Sequence, residues 1–267
     1  MSKSHVLLVD AGSYFIKRVF HAAIRGGDTL EDAVETVFLS ITRAITDFDI
    51  QYALCAFDSD TGEPWQRHIY AGYESKYDSL PAEFKECVPV IKEGLHQMGI
   101  RSITIPCYEA DDLLASSARS LASADINVQV LSSDPDLAQL DDERIEILDF
   151  DGVIRDRHWV YRRFGISPTQ LADYIALVGG RNWNRGVTGI GPKRARLLLS
   201  EYQNLESLVV AAHMGQLPSA IGNALITEGD DAIKRKTLSK VRTDLLLGLS
   251  LSQLNIEANL HEPIDLT

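Results

Sequence analysis

The chain has 267 residues, 45% of them hydrophobic and 24% charged, with a net charge of −12; that is enough apolar content for a sizeable core in one domain or two packed together. Three scattered cysteines (Cys55, Cys87, Cys107) without CxxC spacing argue against a disulfide framework and a zinc site, and no uninterrupted apolar run is long enough to span a bilayer. The charge is unevenly spread: residues 1–150 carry 12 Lys and Arg against 26 Asp and Glu, whereas residues 151–267 carry 14 against 12. A carboxylate-rich lobe beside one able to meet phosphate fits that partition, which a merely solvated surface does not explain.

Residues 1–4 run directly into HVLLVD (residues 5–10), an apolar strand that delivers Asp10 to its C-terminal end. Gly12, Ser13 and a helix through His21 follow. With no apolar leader ahead of the strand, a cytoplasmic protein is expected. Residues 30–48 carry Ala33, Val37, Ile41, Ala44, Ile45 and Phe48 at helical spacing and read as an amphipathic crossover helix. QYALCAFD (51–58) is a second core strand, ending in Asp58. The polar, aromatic stretch 59–79 has no clean period and reads as a long loop beside a site. There Arg67 and Lys76 would meet phosphate, while Trp65, Tyr70, Tyr73 or Tyr77 would stack on a base or else pack beneath a solvated flap. Residues 81–98 form another amphipathic helix and residues 102–106 another strand.

Residues 107–139 organise the rest. Glu109, Asp111 and Asp112 open an apolar helical run, and the β-branched strand 127–131 ends at Asp134 and Asp136. A fifth strand spans 144–150, so the front half is βαβ-type α/β with a parallel core. In such a sheet the strand C-termini and the N-termini of the following helices meet at one edge, where ligand sites form. Taken singly, acids in a first helical turn and an Asp-Pro-Asp turn are ordinary helix-dipole and turn chemistry. Four acidic loci at one edge, Asp10 and Asp58 included, go beyond capping and need a cation to offset their repulsion. Oxygen ligands of this kind suit Mg²⁺ or Mn²⁺.

Beyond residue 151 helices dominate. Residues 167–178 open with Ser then Pro, a good helix start. In GVTGIGPKRARLLL (186–199), Gly189 and Gly191 permit a tight turn, Pro192 begins the next helix, and Lys193 and Arg194 sit in its first turn. Basic residues are electrostatically unfavourable at a positive helix end, so they imply an external anion, most simply a DNA phosphate. A dinucleotide-binding glycine loop is disfavoured, because this turn follows a helix and lacks the third glycine at the required offset. Short helices continue from 204 and end with 230–247, whose Lys234, Arg235, Lys236, Lys240 and Arg242 read as a solvated face or a flanking phosphate contact.

The segments LLVDAGSYF, AFD, EADD, SSDPDLAQL and GVTGIGPKRA, in this order and over nearly the whole chain, resemble the 5′-3′ exonuclease and flap endonuclease family, notably the nuclease domain of bacterial DNA polymerase I. The resemblance implies a PIN-like or resolvase-like α/β nuclease core over residues 1–157 and a helical region with a helix-hairpin-helix over residues 158–267. It implies Mg²⁺, with Mn²⁺ as a substitute, held directly by Asp111 and directly or through water by Asp10, Asp58, Glu109, Asp112, Asp134 and Asp136. K⁺ would be held by the backbone carbonyls of Leu177, Val178, Arg185, Val187 and Ile190. Gly189, Ile190, Gly191, Pro192, Lys193 and Arg194 would face DNA, together with Arg67 and Lys76. The implied protein is a bacterial-type, monomeric, metal-dependent nuclease acting at 5′ flaps or ends of branched DNA. Two departures stand out. The polymerase-type MGDSSDNIPGV supplies two more acids for a second metal cluster. Here Gly180 and Trp183 replace them roughly, in a segment one residue shorter, as in the stand-alone exonuclease IX type of flap endonuclease. Glu74 follows Tyr73 where the polymerase-type enzymes have Lys. The rival of another class is a branched-DNA-binding protein with little or no catalysis. A haloacid-dehalogenase-like phosphatase, prompted by Asp58-Ser-Asp60-Thr-Gly62, is set aside because that pattern belongs on the first strand with its Thr one residue later.

Overall fold

The computed structural model describes residues 5–12, 29–78, 80, 82–149, 151–180 and 185–260. The helix expected after Gly12, Phe150 of the fifth strand and the 181–184 segment containing Trp183 lie outside the described residues. Strands β1 (His5–Asp10), β2 (Tyr52–Ala56), β3 (Arg101–Ile103), β4 (Asn127–Leu131) and β5 (Ile145–Leu148) form one parallel sheet in the order β3-β2-β1-β4-β5. Val6 and Leu8 of β1 pack into one core while Leu7 and Val9 pack into the other, all fully buried. Burial on both faces is why this strand is an unbroken apolar run rather than an alternating one.

One face of the sheet is covered by α1 (Leu30–Asp47) and α3 (Cys87–Gln97), through Val37, Ile41, Ile91 and Leu95. A capping box between Thr29 and Asp32 starts α1. The other face is covered by α4 (Ala110–Ser123), through Leu113, Leu114 and Ala118. The single helix expected over 81–98 is instead two pieces, α2 (Ala82–Lys85) and α3, broken at Glu86. Pro89 has no N–H to donate to the Lys85 carbonyl, so it fits the first turn of a new helix but not the middle of a long one. The strand order reverses between β1 and β4, and the crevice beyond their carboxyl ends is where a ligand site is expected.

The helical region packs α5 (Arg157–Phe164), α6 (Leu171–Val178), α7 (Pro192–Tyr202), α8 (Leu205–His213) and α9 (Ser219–Ser239) around Leu171, Leu177, Ala195, Leu199, Leu205, Leu208 and Leu225. The helix expected over 230–247 stops at Ser239, and residues 240–249 run as an extended strap back across the α/β core. Leu245, Leu247, Leu249 and Leu251 pack against the core beneath α4, whereas Leu246 is fully exposed. That alternation of period two belongs to an extended chain, and the burial it achieves outweighs the helical propensity of the preceding lysines. The strap ends in α10 (Ile256–Asn259), where Ile256 N–H donates to the Gln51 carbonyl (3.0 Å) and Asn259 Nδ2 to the Gly99 carbonyl (3.2 Å). Among the described residues no helix is long and apolar enough to cross a membrane.

Candidate active site

The chain leaving each of β1 to β4 at this edge hands an acidic side chain to it. Asp10 is the last residue of β1 and is buried, its Oδ2 accepting from Ser132 Oγ at 2.6 Å just beyond β4. Asp58 follows β2, and its Oδ1 accepts the Ala110 N–H at 2.9 Å. The backbone of Gly12 runs so close to both that an added Cβ would lie 2.7 Å from Asp58 Oδ2 and 3.5 Å from Asp10 Oδ1, so any side chain there would push the Asp58 carboxylate aside. Glu109 is the N-cap residue of α4, with Asp111 and Asp112 in its first turn. Asp134 caps the short 3-10 turn Pro135–Gln139 after β4, accepting from Asp136 N–H at 3.0 Å.

The loop between β2 and α2 is laid over these acids and bonded to them. Tyr73 Oη donates to Glu109 Oε2 (2.9 Å) and the Lys76 N–H to Glu109 Oε1 (2.8 Å). The Lys76 ammonium reaches Asp111 Oδ2 at 2.6 Å and Asp134 Oδ2 at 2.8 Å. Trp65 Nε1 donates to Asp112 Oδ2 at 2.7 Å. A cavity of about 300 Å³ opens here, lined on one side by Glu109, Asp111, Asp134 and Asp136 and on the other by Phe164, Ile175, Gly179 and Lys240 from the helical region and strap.

The electrostatics are those of a donor set short of positive charge. Burial pushes the Asp58 carboxyl up to about 6, with Lys76 opposing and Asp10 reinforcing the rise. Burial lifts Glu109 to about 8 and Asp112 to about 7, helped in each case by the neighbouring Asp111. Burial works against the Lys76 ammonium, yet Asp111, Asp134, Glu109 and Asp58 outweigh it and hold its pKa well above the ordinary lysine value. No three acidic, histidine or cysteine side chains among the described residues converge on a single point at coordinating distance. The charge between Asp111 and Asp134 is supplied by lysine nitrogen instead. All the donors are oxygens, so their chemistry fits a hard divalent ion such as Mg²⁺ or Mn²⁺.

The glycine turn is built as its sequence suggests. Gly186 packs so tightly under α6 that a Cβ would fall 2.1 Å from the Leu177 carbonyl oxygen, and Gly189 adopts a φ of 77°. Gly191 caps α7 without a side chain, and Pro192 is its first residue. Lys193 and Arg194 are exposed at that helix start, Arg194 donating back to the Gly189 carbonyl. The carbonyls of Leu177 and Val187 already accept the N–H groups of Val187 (2.9 Å) and Ile190 (3.0 Å). Arg185 Nη2 donates to Thr188 Oγ1 at 2.6 Å.

Asp10, Asp58, Glu109, Asp111, Asp112 and Asp134 thus meet at one sheet edge, with half-buried Asp136 at the cavity wall. The two loop cations, expected to face phosphate, have protein partners: Lys76 lies among the acids, and Arg67 bonds Asp78 (2.8 Å) and the Tyr73 carbonyl (3.0 Å). Both find carboxylates within reach, which satisfy them in place of phosphate. Ser132 and the donor roles of Trp65 and Tyr73 escaped the sequence reading. A signal existed for Ser132, a hydroxyl immediately after a core strand beside two acids.

The family profile described as the N-terminal resolvase-like domain of 5′-3′ exonucleases matches residues 5–165, and that of their C-terminal SAM fold matches residues 166–262. Thermostable DNA polymerase I of Thermus aquaticus is 35% identical over 257 residues, which is 94% of this chain but 30% of that protein. This chain therefore spans under a third of such polymerase relatives. The flap endonuclease Xni of Klebsiella pneumoniae is 31% identical over 255 residues, 94% of this chain and 98% of that one. Among solved structures, a T5 5′-exonuclease with bound zinc ions has a TM-score of 0.71 at 18% identity, covering 88% of this chain and 89% of that one. The catalytic core of Rad2 in complex with DNA substrate has a TM-score of 0.57 at 18% identity, over 91% of this chain and 80% of that one. Both share the fold. With two adjoining profiles spanning nearly all of the sequence and full-length similarity to stand-alone relatives, the chain belongs to the 5′-3′ exonuclease family.

Proposed function

We propose that this protein is a divalent-metal-dependent, structure-specific nuclease, acting as a monomer on DNA with 5′ flaps or 5′ ends. The observation that carries the reading is the crowd of buried carboxylates at the switch point, neutralised in part by Lys76 and opening on a cavity walled by the helical region. Asp111 and Asp134 would hold the ion directly, with Glu109, Asp10, Asp58 and Asp136 contributing directly or through water. When bound, such an ion lowers the pKa of a water and offsets charge on the leaving oxygen. The protein's own work is positional. Ser132 fixes Asp10, the Ala110 N–H fixes Asp58, and Tyr73 with the Lys76 N–H fixes Glu109. With an ion at Asp111 and Asp134, the Lys76 ammonium would be available to a phosphate entering the cavity.

The duplex is taken by the hairpin from Gly189 to Arg194, whose α7 N-terminus presents amides and two cations to the backbone. A K⁺ ion would be held there by the backbone carbonyls of Leu177, Val178, Arg185, Val187 and Ile190 and would add positive charge toward the phosphate backbone. The test is incubation of purified protein with a 5′-flap duplex and Mg²⁺, followed by EDTA. Cleavage that stops with EDTA and is abolished in Asp111→Ala, with duplex binding kept, supports the reading. Unchanged cleavage in Asp111→Ala removes the metal assignment. Tight binding without any cleavage favours a branched-DNA-binding protein instead.

A further inference from the structure

Asp112 follows Asp111 in the chain, and the family resemblance would count both as metal ligands, but its carboxylate serves different partners. Its Oδ2 accepts from Trp65 Nε1 at 2.7 Å and its Oδ1 accepts from the Arg242 N–H at 2.9 Å. Trp65 lies at the start of the loop that carries Tyr73 and Lys76 over the acids, and Arg242 lies on the strap that returns from the helical region. The Arg242 guanidinium sits over the Trp65 ring at 5.6 Å and the Tyr108 ring at 5.8 Å, so the two partners of Asp112 also touch each other. One turn further along α4, Ser116 Oγ donates to the Arg242 carbonyl (3.1 Å) and accepts from the Leu245 N–H (3.2 Å). Residues four apart share a helix face, so Asp112 and Ser116 form one seam fastening the strap to α4.

We infer that Asp112 is a positioning residue that moors the loop through Trp65 and the strap through Arg242, and that it leaves metal binding to the other acids. Its two oxygens are tied to two separate segments, the loop through Trp65 and the strap through Arg242, so turning the carboxylate toward an ion would pull on both moorings, whereas both donors on Glu109 come from the one loop. Asp111 and Asp134 differ: one oxygen of each faces the Lys76 ammonium, a cation whose place a divalent ion can take. The mooring fixes where the loop begins, and therefore how Tyr73 and Lys76 descend onto Glu109, Asp111 and Asp134. Loosening it should weaken the hold on the substrate strand more than it slows the chemistry.

The inference rests on the nuclease reading for its substrate but not for its metal-binding and coupling measurements. Mn²⁺ affinity by electron paramagnetic resonance is measured on the full chain for Asp112→Asn, Trp65→Phe, their double variant and Asp111→Asn. In Asp112→Asn the amide NH₂ would oppose the indole N–H, donor against donor, or the turned side chain would oppose Arg242. Expected are Mn²⁺ affinities within about twofold of wild type for Asp112→Asn and Trp65→Phe, and a loss of more than about tenfold for Asp111→Asn. Both mooring variants should raise KM for a 5′-flap DNA about tenfold more than they lower kcat. The double variant should be no worse than the worse single one, because both remove the same bond. Loss of Mn²⁺ affinity in Asp112→Asn comparable to Asp111→Asn overturns the inference, as do fully additive effects of the two mooring substitutions. Should Asp112→Asn fail to fold, Trp65→Phe decides alone, and an unchanged KM refutes the mooring. Retained Mn²⁺ affinity in Asp111→Asn would instead sink the metal reading, leaving the Trp65–Asp112 coupling to be judged on its own.

Discussion

The ammonium of Lys76 lies 2.6 Å from Asp111 Oδ2, and the same nitrogen lies 2.8 Å from Asp134 Oδ2. A lysine from an irregular loop thereby joins the first turn of α4 to the residue that caps the turn after β4. Both carboxylates are nearly inaccessible, so the ammonium supplies charge they cannot obtain from water. A divalent ion brought to these oxygens competes with it directly.

Replacing Lys76 with Met should therefore have opposite effects without and with metal. In EDTA the variant loses the only ammonium bonded to Asp111 and Asp134 among the described residues, and should be about 2 kcal/mol less stable, below the full cost of breaking a buried pair because Lys76 keeps some exposure. With the competitor gone, Mn²⁺ should bind more tightly. Thermal unfolding in EDTA and in Mn²⁺ measures both, and a variant as stable as wild type in EDTA would show the pair to be energetically idle.

The acids also set the response to pH. Asp58, Asp112 and Glu109 have carboxyls raised to about 6, 7 and 8 in the folded chain, from ordinary values near 3.8, 3.8 and 4.5. A raised pKa means the folded state holds more protons, so the stability it brings is complete below the ordinary value and is lost as pH climbs through the shifted one. In EDTA the melting temperature should fall between pH 5 and pH 8, with each group contributing a slope of up to about 1.4 kcal/mol per pH unit. Glu206, Glu228 and Asp244 are shifted down and act below this window. Mg²⁺ selects the ionised carboxylates, so its stabilisation should grow across the same range. Glu109→Gln should flatten the upper part of the EDTA curve; an unaltered slope there would assign it elsewhere.

The fold was legible where apolar runs end in acids. His5–Asp10 and Asn127–Leu131 each lead to a carboxylate, and parallel pairing of their strands brings those ends together. What the sequence hid depends on contacts with no local signature. Lys76 bonds Asp134 across 58 positions and Trp65 bonds Asp112 across 47, from a loop without period. The strap was hidden by competition between patterns. Lys234, Lys236 and Lys240 carry a helical reading forward, while the alternation from Leu245 to Leu251, which decides the outcome, starts only after the helix has ended at Ser239.

Gly186 offers a sharper test of the hairpin than its exposed cations do. A methyl group there would meet the Leu177 carbonyl oxygen at 2.1 Å and the Val178 carbonyl carbon at 2.4 Å, both backbone atoms with no rotamer to yield. Gly186→Ala should destabilise the protein by about 3 kcal/mol in urea unfolding, and duplex binding should weaken because α6 and the turn move apart. Wild-type stability in that variant would mean the approach of these two segments is looser than described.

Lys193 and Arg194 occupy the same helix start but do different things. Lys193 is exposed, whereas Arg194 also ties itself to the Gly189 carbonyl and so stiffens the turn it stands on. A cation that meets a phosphate displaces counterions, and each such contact contributes about 0.9 to the salt slope of duplex binding. Lys193→Ala should lower that slope by about 1 with the melting temperature kept. Arg194→Ala should lower the slope by a similar amount and also reduce the melting temperature, because the turn loses its brace. Fluorescence anisotropy with a labelled duplex, titrated between 50 and 200 mM salt, reads the slope directly. A slope unchanged in both variants would place the duplex on another surface.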